Sequence, residues 1–298
     1  SGSLLAAEKE HVLHSFKKIQ LTDHFWAEGA DFGDFNRDGI NDIVSGPFWY
    51  EGPAYQKRHE FAPATQTFTR KRKDGTEEKV SGYEGRLGAK NAYSGNFFAF
   101  THDLNRDGWM DIIILGFPGE ETTWYENPKG KEGHWSPHVV FAVTDNESPT
   151  FADLTGDGNP ELVCQTSRES APGKRMGRIG YATPDWNAPT KPWTFHPISH
   201  EDEKWFKYTH GLGFGDVNGD GRNDILEKDG WWEQPSSLDG DPLWEHHPFP
   251  FAAEHGSAHM FAYDVDGDGD NDVITSLAAH GYGLAWYENI KEGGHITF

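Results

Sequence analysis

The sequence predicts an all-β protein, a β-propeller of four-stranded blades in which five repeat units are visible. Two observations carry that prediction. A nine-residue acidic pattern recurs five times in the 298 residues, and short β-branched or aromatic runs of strand length flank each copy. Composition agrees: 35 glycines and 12 tryptophans accompany only 35% hydrophobic residues, a balance suited to many short strands joined by tight turns.

The first copy reads Asp34-Phe35-Asn36-Arg37-Asp38-Gly39-Ile40-Asn41-Asp42, and the others begin at Asp103, Asp153, Asp216 and Asp264. Their first aspartates stand 69, 50, 63 and 48 residues apart, one supersecondary unit with loop insertions. A short alternating stretch precedes each loop, as in Ala30 to Gly33 and Gly211 to Phe214. A β-branched run follows it, as in Ile43-Val44, Ile112 to Ile114 and Val273-Ile274. These are the first two strands of a unit. The third strand is aromatic: Phe48 to Glu51, Thr123 to Pro128, Gly230 to Pro235 and Ala285 to Asn289, with only Tyr181 and Pro184 kept in the third unit. A fourth strand containing His or an aromatic is read at Trp135 to Phe141, Trp193 to Ile198 and Trp244 to Phe249. Four strands per unit around an axis make a propeller blade. The tryptophans of the aromatic strand are then expected to pack between blades, where large rings bury most area.

The loops carry metal chemistry. Positions 1, 3, 5 and 9 offer side-chain oxygens, position 7 offers a backbone carbonyl, and glycine at position 6 permits the sharp turn that folds them around one ion. Oxygen-only ligands on a flexible loop select a hard cation of calcium's size. The ligand candidates are Asp34, Asn36, Asp38, Ile40 and Asp42 in the first loop and Asp103, Asn105, Asp107, Trp109 and Asp111 in the second. In the third they are Asp153, Thr155, Asp157, Asn159 and Glu161, and in the fourth Asp216, Asn218, Asp220, Arg222 and Asp224. The fifth offers Asp264, Asp266, Asp268, Asp270 and Asp272. An EF-hand is excluded, because position 12 of the first copy is Ser45 and strands flank the loop.

The chain has 26 Lys+Arg against 48 Asp+Glu, a formal charge of −22, and five calcium ions would bring it to −12. Metal thus accounts for much of the acidity, and a nucleic-acid partner, which needs a basic stripe, is not expected. Cys164 is the only cysteine, so no intramolecular disulfide exists. No apolar run approaches the roughly 20 residues of a membrane helix. Weak calcium sites fill at millimolar calcium, which points to a secreted or periplasmic location. Residues 1–10 read as a tag scar or leader remnant and 11–298 as one propeller domain.

The D-x-N-x-D-G-x-x-D run followed by W-Y-E-N-P resembles the FG-GAP/VCBS repeat proteins, which implies a propeller with calcium in the loop between the first two strands. Segments such as Asn146 to Pro149, Thr209 to Gly213 and Ala279 to Trp286 are similar to a secreted bacterial subgroup related to the propeller domain of aldos-2-ulose dehydratase. Seven blades are usual in such relatives. Here His295 to Phe298 reads as the opening of a sixth unit. Either the segment His14 to Leu21 completes a five-bladed ring, or a missing segment or second polypeptide supplies further blades. The second alternative is preferred.

The first strand of each blade runs into the acidic loop and the second runs back. First-strand starts and second-to-third loops therefore share the opposite face. That face collects Trp26, Glu28, Asn96, Glu147, His210, His255, His259 and His280. His210, His280 and Glu147 are the catalytic candidates, and Trp26, Asn96, Arg175, His255 and His259 the substrate-binding ones. Convergent His and Glu suit proton transfer or a transition metal in the axial pocket. The insertion Ser167 to Arg178 brings Arg168, Lys174 and Arg175 to a basic rim, with Arg86 and Lys90 also on that side. The family resemblance implies a carbohydrate-active lyase or dehydratase. The alternative is a non-catalytic module that binds polysaccharide or protein.

Overall fold

The computed structural model describes residues 15–64, 68–72, 74–80, 95–205, 207–253 and 256–298. The first blade is the antiparallel sheet β1 (Ala30–Gly33), β2 (Asp42–Ser45), β3 (Phe48–Tyr50) and β4 (Arg58–Glu60), followed by the separate hairpin β5 (Phe68–Lys71) and β6 (Glu77–Val80). The second comprises β7 (Phe98–His102), β8 (Asp111–Leu115), β9 (Glu120–Glu126) and β10 (Ser136–Thr144). The third comprises β11 (Thr150–Ala152), β12 (Glu161–Ala171), β13 (Lys174–Thr183) and β14 (Thr194–Pro197). In the fourth are β15 (Leu212–Gly215), β16 (Asp224–Glu227), β17 (Gly230–Glu233) and β18 (Glu245–Pro248). The fifth has three strands among the described residues, β19 (Met260–Tyr263), β20 (Asp272–Ser276) and β21 (Leu284–Tyr287), and the hairpin β22 (Ile290–Glu292) with β23 (His295–Thr297) follows. The architecture is a five-bladed β-propeller. His295 to Thr297 forms β23, which folds back on β22, and Ile296 and Phe298 pack with Phe249 and Phe251 between the fourth and fifth blades.

The core lies between blades. One apolar cluster fills each of the seams from the first blade to the fifth. The expected tryptophan packing is met, because Trp49, Trp124 and Trp231 are all buried in these seams. Each is paired in register with a fourth-strand histidine, which stacks on it at 3.8 Å for Trp49 and His59 and 4.1 Å for Trp231 and His247 and lies tilted against it at 4.7 Å for Trp124 and His138. Tyr181 and His196 stack at 4.9 Å in the third blade. Each histidine also meets a carboxylate, Glu51, Glu126, Asp241 or Glu233, at 2.6–3.1 Å. The tryptophan is thereby covered on one side by the next blade and on the other by imidazole.

The acidic loops have one geometry. The residue at position 4 is left-handed in all five, with φ between 57° and 82°, which is why Gly156, Gly219 and Gly267 replace Arg37 and Arg106 there. The position-1 carboxylate accepts the N–H of the position-6 glycine at 2.8–3.2 Å in every copy. The position-9 carboxylate sits buried beneath the loop and accepts the N–H of position 2 at 2.9–3.1 Å. In four blades its other oxygen accepts an N–H just after the aromatic strand at 2.8–2.9 Å. Position 9 thus ties the first two strands to the third, a structural duty alongside the ligand role expected of it.

Neighbouring loops are clamped together by an amide that the W-Y-E-N-P motif supplies. Asn127 donates to the carbonyls of Phe35 and Met110, Gln234 to those of Leu154 and Asn223, and Asn289 to those of Val217 and Asn271, all at 2.8–3.0 Å. The first carbonyl of each pair belongs to the preceding blade. Replacing Asn127 by Leu strands two buried carbonyls and is expected to cost about 1–3 kcal/mol. A lower urea midpoint at unchanged slope checks this, and an unchanged midpoint contradicts the clamp.

Candidate functional site

Three segments build the face opposite the acidic loops. Asp145 to Ser148 precedes β11, Tyr208 to Gly211 precedes β15, and the β20–β21 connection holds His280. The first two are bonded to each other, with the Glu147 N–H donating to the Thr209 carbonyl at 2.8 Å and the Tyr208 N–H to the Asp145 carbonyl at 3.1 Å. Gly211 brings the second against the fifth blade: its φ is 77°, and a Cβ there would lie 2.8 Å from the Ser257 hydroxyl. The Ser148 hydroxyl donates to the Ala258 carbonyl across the same junction.

This framework brings Glu147, His210 and His280 together from three different blades. One ligand atom of each lies within 4.8 Å of the others. The His210 Nε2 stands 3.4 Å from a Glu147 carboxylate oxygen, and the two imidazoles meet edge to face at 4.9 Å. His210 is nearly buried, Glu147 half-buried and His280 exposed, so the cluster opens to solvent on the His280 side. Burial raises the Glu147 pKa and nearby Glu28 adds to the rise, while His280 opposes it. Two imidazoles and a carboxylate with room for further ligands form a donor set suited to a divalent transition metal, and also an acid and a base within reach of one substrate. The structure therefore assembles all three catalytic candidates in one place.

The substrate-binding candidates fare differently. Trp26 is a core residue of the first blade, packed against Phe48 and Tyr50 and 8% exposed, so its ring is not offered to a ligand. Asn96 is half-buried at the start of β7. His259 lies at the axis, its ring edge-on to Phe98 at 5.6 Å, and burial lowers its pKa. His255 lies outside the described residues, as do Arg86 and Lys90. The basic rim is neutralised: Arg168 binds Glu201 through two hydrogen bonds of 2.9 Å, Lys174 pairs with Glu203, and Arg175 is turned back onto Ser167. The insertion that carries these cations is an extension of the β12–β13 hairpin, which places Arg168 beside Glu201 and Lys174 beside Glu203.

On the acidic face the fifth loop fits a hard cation best. The carboxylates of Asp264, Asp266 and Asp268 lie within 4.8 Å of one another. Asp270 adds a buried oxygen with no hydrogen-bond partner, and burial raises its pKa with help from Asp268, Asp272 and Asp266. The Asp270 Oδ2 is offset by Lys291 at 3.7 Å, but its Oδ1 and the crowded carboxylates of Asp264, Asp266 and Asp268 are what a cation would satisfy. In the third loop Glu161 reaches the same N–H as the aspartates elsewhere, and Thr155 donates its hydroxyl to Glu161 at 3.3 Å.

The family model of the FG-GAP-like repeat matches residues 103–164, the second acidic loop and its blade through to the start of the third. This segment is an FG-GAP-like repeat. The other acidic loops share its pattern and hydrogen bonds. A search of the curated proteins found no match. Among solved structures, the biofilm matrix protein Bap1 of V. cholerae is 22% identical over 60% of this chain and 28% of its own, with a TM-score of 0.33. The rhamnogalacturonan lyase YesW is 14% identical over 90% of this chain and 50% of its own, with a TM-score of 0.41. An Agrocybe aegerita lectin that recognises non-reducing terminal N-acetylglucosamine is 16% identical over 83% of this chain and 73% of its own, with a TM-score of 0.32. The chain spans half or less of the length of the first two.

Proposed function

We propose that this is a calcium-binding propeller of the secreted or periplasmic space that acts on a sugar or polysaccharide as a carbon–oxygen lyase or dehydratase. The observation that carries the reading is the convergence of Glu147, His210 and His280 from three blades on the face away from the acidic loops. Elimination needs a base to take the proton beside a carbonyl or carboxylate and an acid for the departing oxygen. His210 or His280 serves as the base; the freed electron pair forms the new C=C bond as the neighbouring C–O bond breaks. Glu147, whose pKa burial raises, protonates the leaving oxygen. A divalent metal held by the same three residues would occupy their donor atoms, supplying stabilisation of the enolate in place of their acid and base roles. Calcium in the acidic loops is structural in this account. The resemblance to the aldos-2-ulose dehydratase subgroup supports the reaction class.

A second reading is a non-catalytic module that binds polysaccharide or protein. It is favoured by the pairing of Arg168 with Glu201 and of Lys174 with Glu203, and by the turn of Arg175 onto Ser167, which withdraw the substrate clamp an acidic sugar would use. Incubation with keto-sugars and uronate polysaccharides, with and without added zinc or manganese, separates the two by the absorbance of unsaturated products. Turnover that falls at least 100-fold in both His210→Ala and His280→Ala is expected. Glycan binding without turnover across the panel would instead establish the binding module.

A further inference from the structure

The outer two strands of the blades repeat one device. A third-strand aromatic is faced by a fourth-strand histidine, and the carboxylate two residues after the aromatic meets that imidazole. The sets are Trp49, His59 and Glu51, then Trp124, His138 and Glu126, then Trp231, His247 and Glu233, and in each the Nε2 atom lies 2.8–3.1 Å from the carboxylate. The third blade has Thr183 at that offset and takes its carboxylate from Asp241. Because it recurs in all four of these blades, the pairing itself is structural.

The residue across the strand from that carboxylate is what differs. In the first blade it is Lys57, whose Nζ stands 2.7 Å from Glu51 and whose carbonyl accepts the Glu51 N–H at 2.9 Å. In the second it is Ser136 opposite Glu126, and in the third Thr194 opposite Thr183. The fourth blade places Glu245 opposite Glu233. Like charges directly opposite on neighbouring strands are destabilising. Among the described residues, neither glutamate has a Lys or Arg within ion-pair distance, and the His247 imidazole is the group that meets Glu233. One oxygen of each glutamate and one ring nitrogen of His247 all lie within 4.8 Å of one another.

We propose that Glu233, Glu245 and His247 bind a divalent transition metal of the zinc class on the outer edge of the fourth blade. The site shares no residue with the cluster on the opposite face and does not depend on the reaction proposed for it. Two carboxylates and an imidazole form a mixed oxygen and nitrogen set, which suits zinc, whereas calcium takes oxygen ligands. The nitrogen is aimed before any ion arrives: the His247 ring stacks on Trp231 at 4.1 Å with 14° between the planes, and its Nε2 points at Glu233. Bonds of about 2.0–2.2 Å to one ion bring ligand atoms to roughly 3.3 Å from each other. Glu245 is exposed and supplies that closing movement, and it leaves the remaining coordination positions open to water. The metal displaces the contact between His247 and Glu233, neutralises the opposed glutamates and ties the end of β17 to the start of β18, the two ends of the connection between those strands. In the other blades lysine, serine or threonine stands where Glu245 would have to be, so the device there offers no third donor.

Zinc titration calorimetry on the whole chain, with calcium in excess, tests the site in a Glu147→Gln background that weakens the cluster on the opposite face. That protein is expected to retain one zinc per chain. Adding Glu245→Lys is expected to lower the remaining affinity by about 100-fold or more, since even partners outside the ligand shell cost 10–100-fold. Lysine at this place is the first blade's own solution, so the melting temperature without zinc should not fall. Glu245→Gln removes the ligand without adding a cation and is expected to weaken zinc by about 10-fold or more. A Glu147→Gln chain that binds no zinc, or one whose zinc affinity is the same after both changes at Glu245, overturns the proposal. Loss of zinc on changing Glu245 supports it whether or not Glu147→Gln alters binding, so failure of the cluster on the opposite face is read separately.

Discussion

Chelating calcium is expected to destabilise the protein by several kcal/mol. A site of the weak, extracellular kind contributes about 1–2 kcal/mol at a few millimolar calcium, so five such sites acting on one cooperative ring amount to roughly 5–10 kcal/mol. The effect should depend on pH in a stated direction. Burial pushes the position-9 carboxyls Asp111, Glu161 and Asp224 up to about 7. An acid whose folded pKa is raised binds its proton more tightly in the folded state. The metal-free protein therefore loses stability as pH rises from about 4 toward 7. Calcium favours the ionised form and should cancel or reverse that slope. Urea unfolding at pH 5 and pH 7, with calcium and with chelator, measures both effects. Equal stability with and without calcium at pH 7 would mean that the loops hold their shape by hydrogen bonds alone.

Replacing Glu147 by Gln is expected to weaken binding of a divalent transition metal at the opposite face by about 100-fold or more, because even partners outside the ligand shell cost 10–100-fold. His280→Ala should do the same. Neither change touches an acidic loop, so calcium-dependent stability should be unaffected. Titration calorimetry with zinc in the presence of excess calcium reads the affinity directly. Undiminished zinc binding in Glu147→Gln would place the metal elsewhere.

The blades were legible because a repeat states the same fact five times. Asp34 and its four counterparts, with glycine at position 6, fixed both the loop geometry and the strand order around it. The burial of Trp124 between blades follows from ring size alone. The amide clamp was missed, although Asn127, Gln234 and Asn289 recur at one offset from the aromatic pair; their role needs a carbonyl from another blade, which no local pattern reveals. Non-local pairing also explains the misreading of the basic rim, since Glu201 is 33 residues from Arg168. Trp26 sat at a first-strand start like the site residues, but Phe48 and Tyr50 beside it made it core. The cluster of Glu147, His210 and His280 was legible as a face and not as a contact. Topology assigns residues to an end of the propeller, whereas the approach of three side chains depends on how tightly the blades close.

The central claim is a division of labour between two faces, and locating the metals tests it most directly. Anomalous scattering from crystals grown with calcium and soaked in zinc or manganese should place calcium in the acidic loops, the Asp264 to Asp272 loop foremost, and the transition metal among Glu147, His210 and His280. A transition metal found only in the acidic loops, with none at the three-residue cluster, would contradict the account.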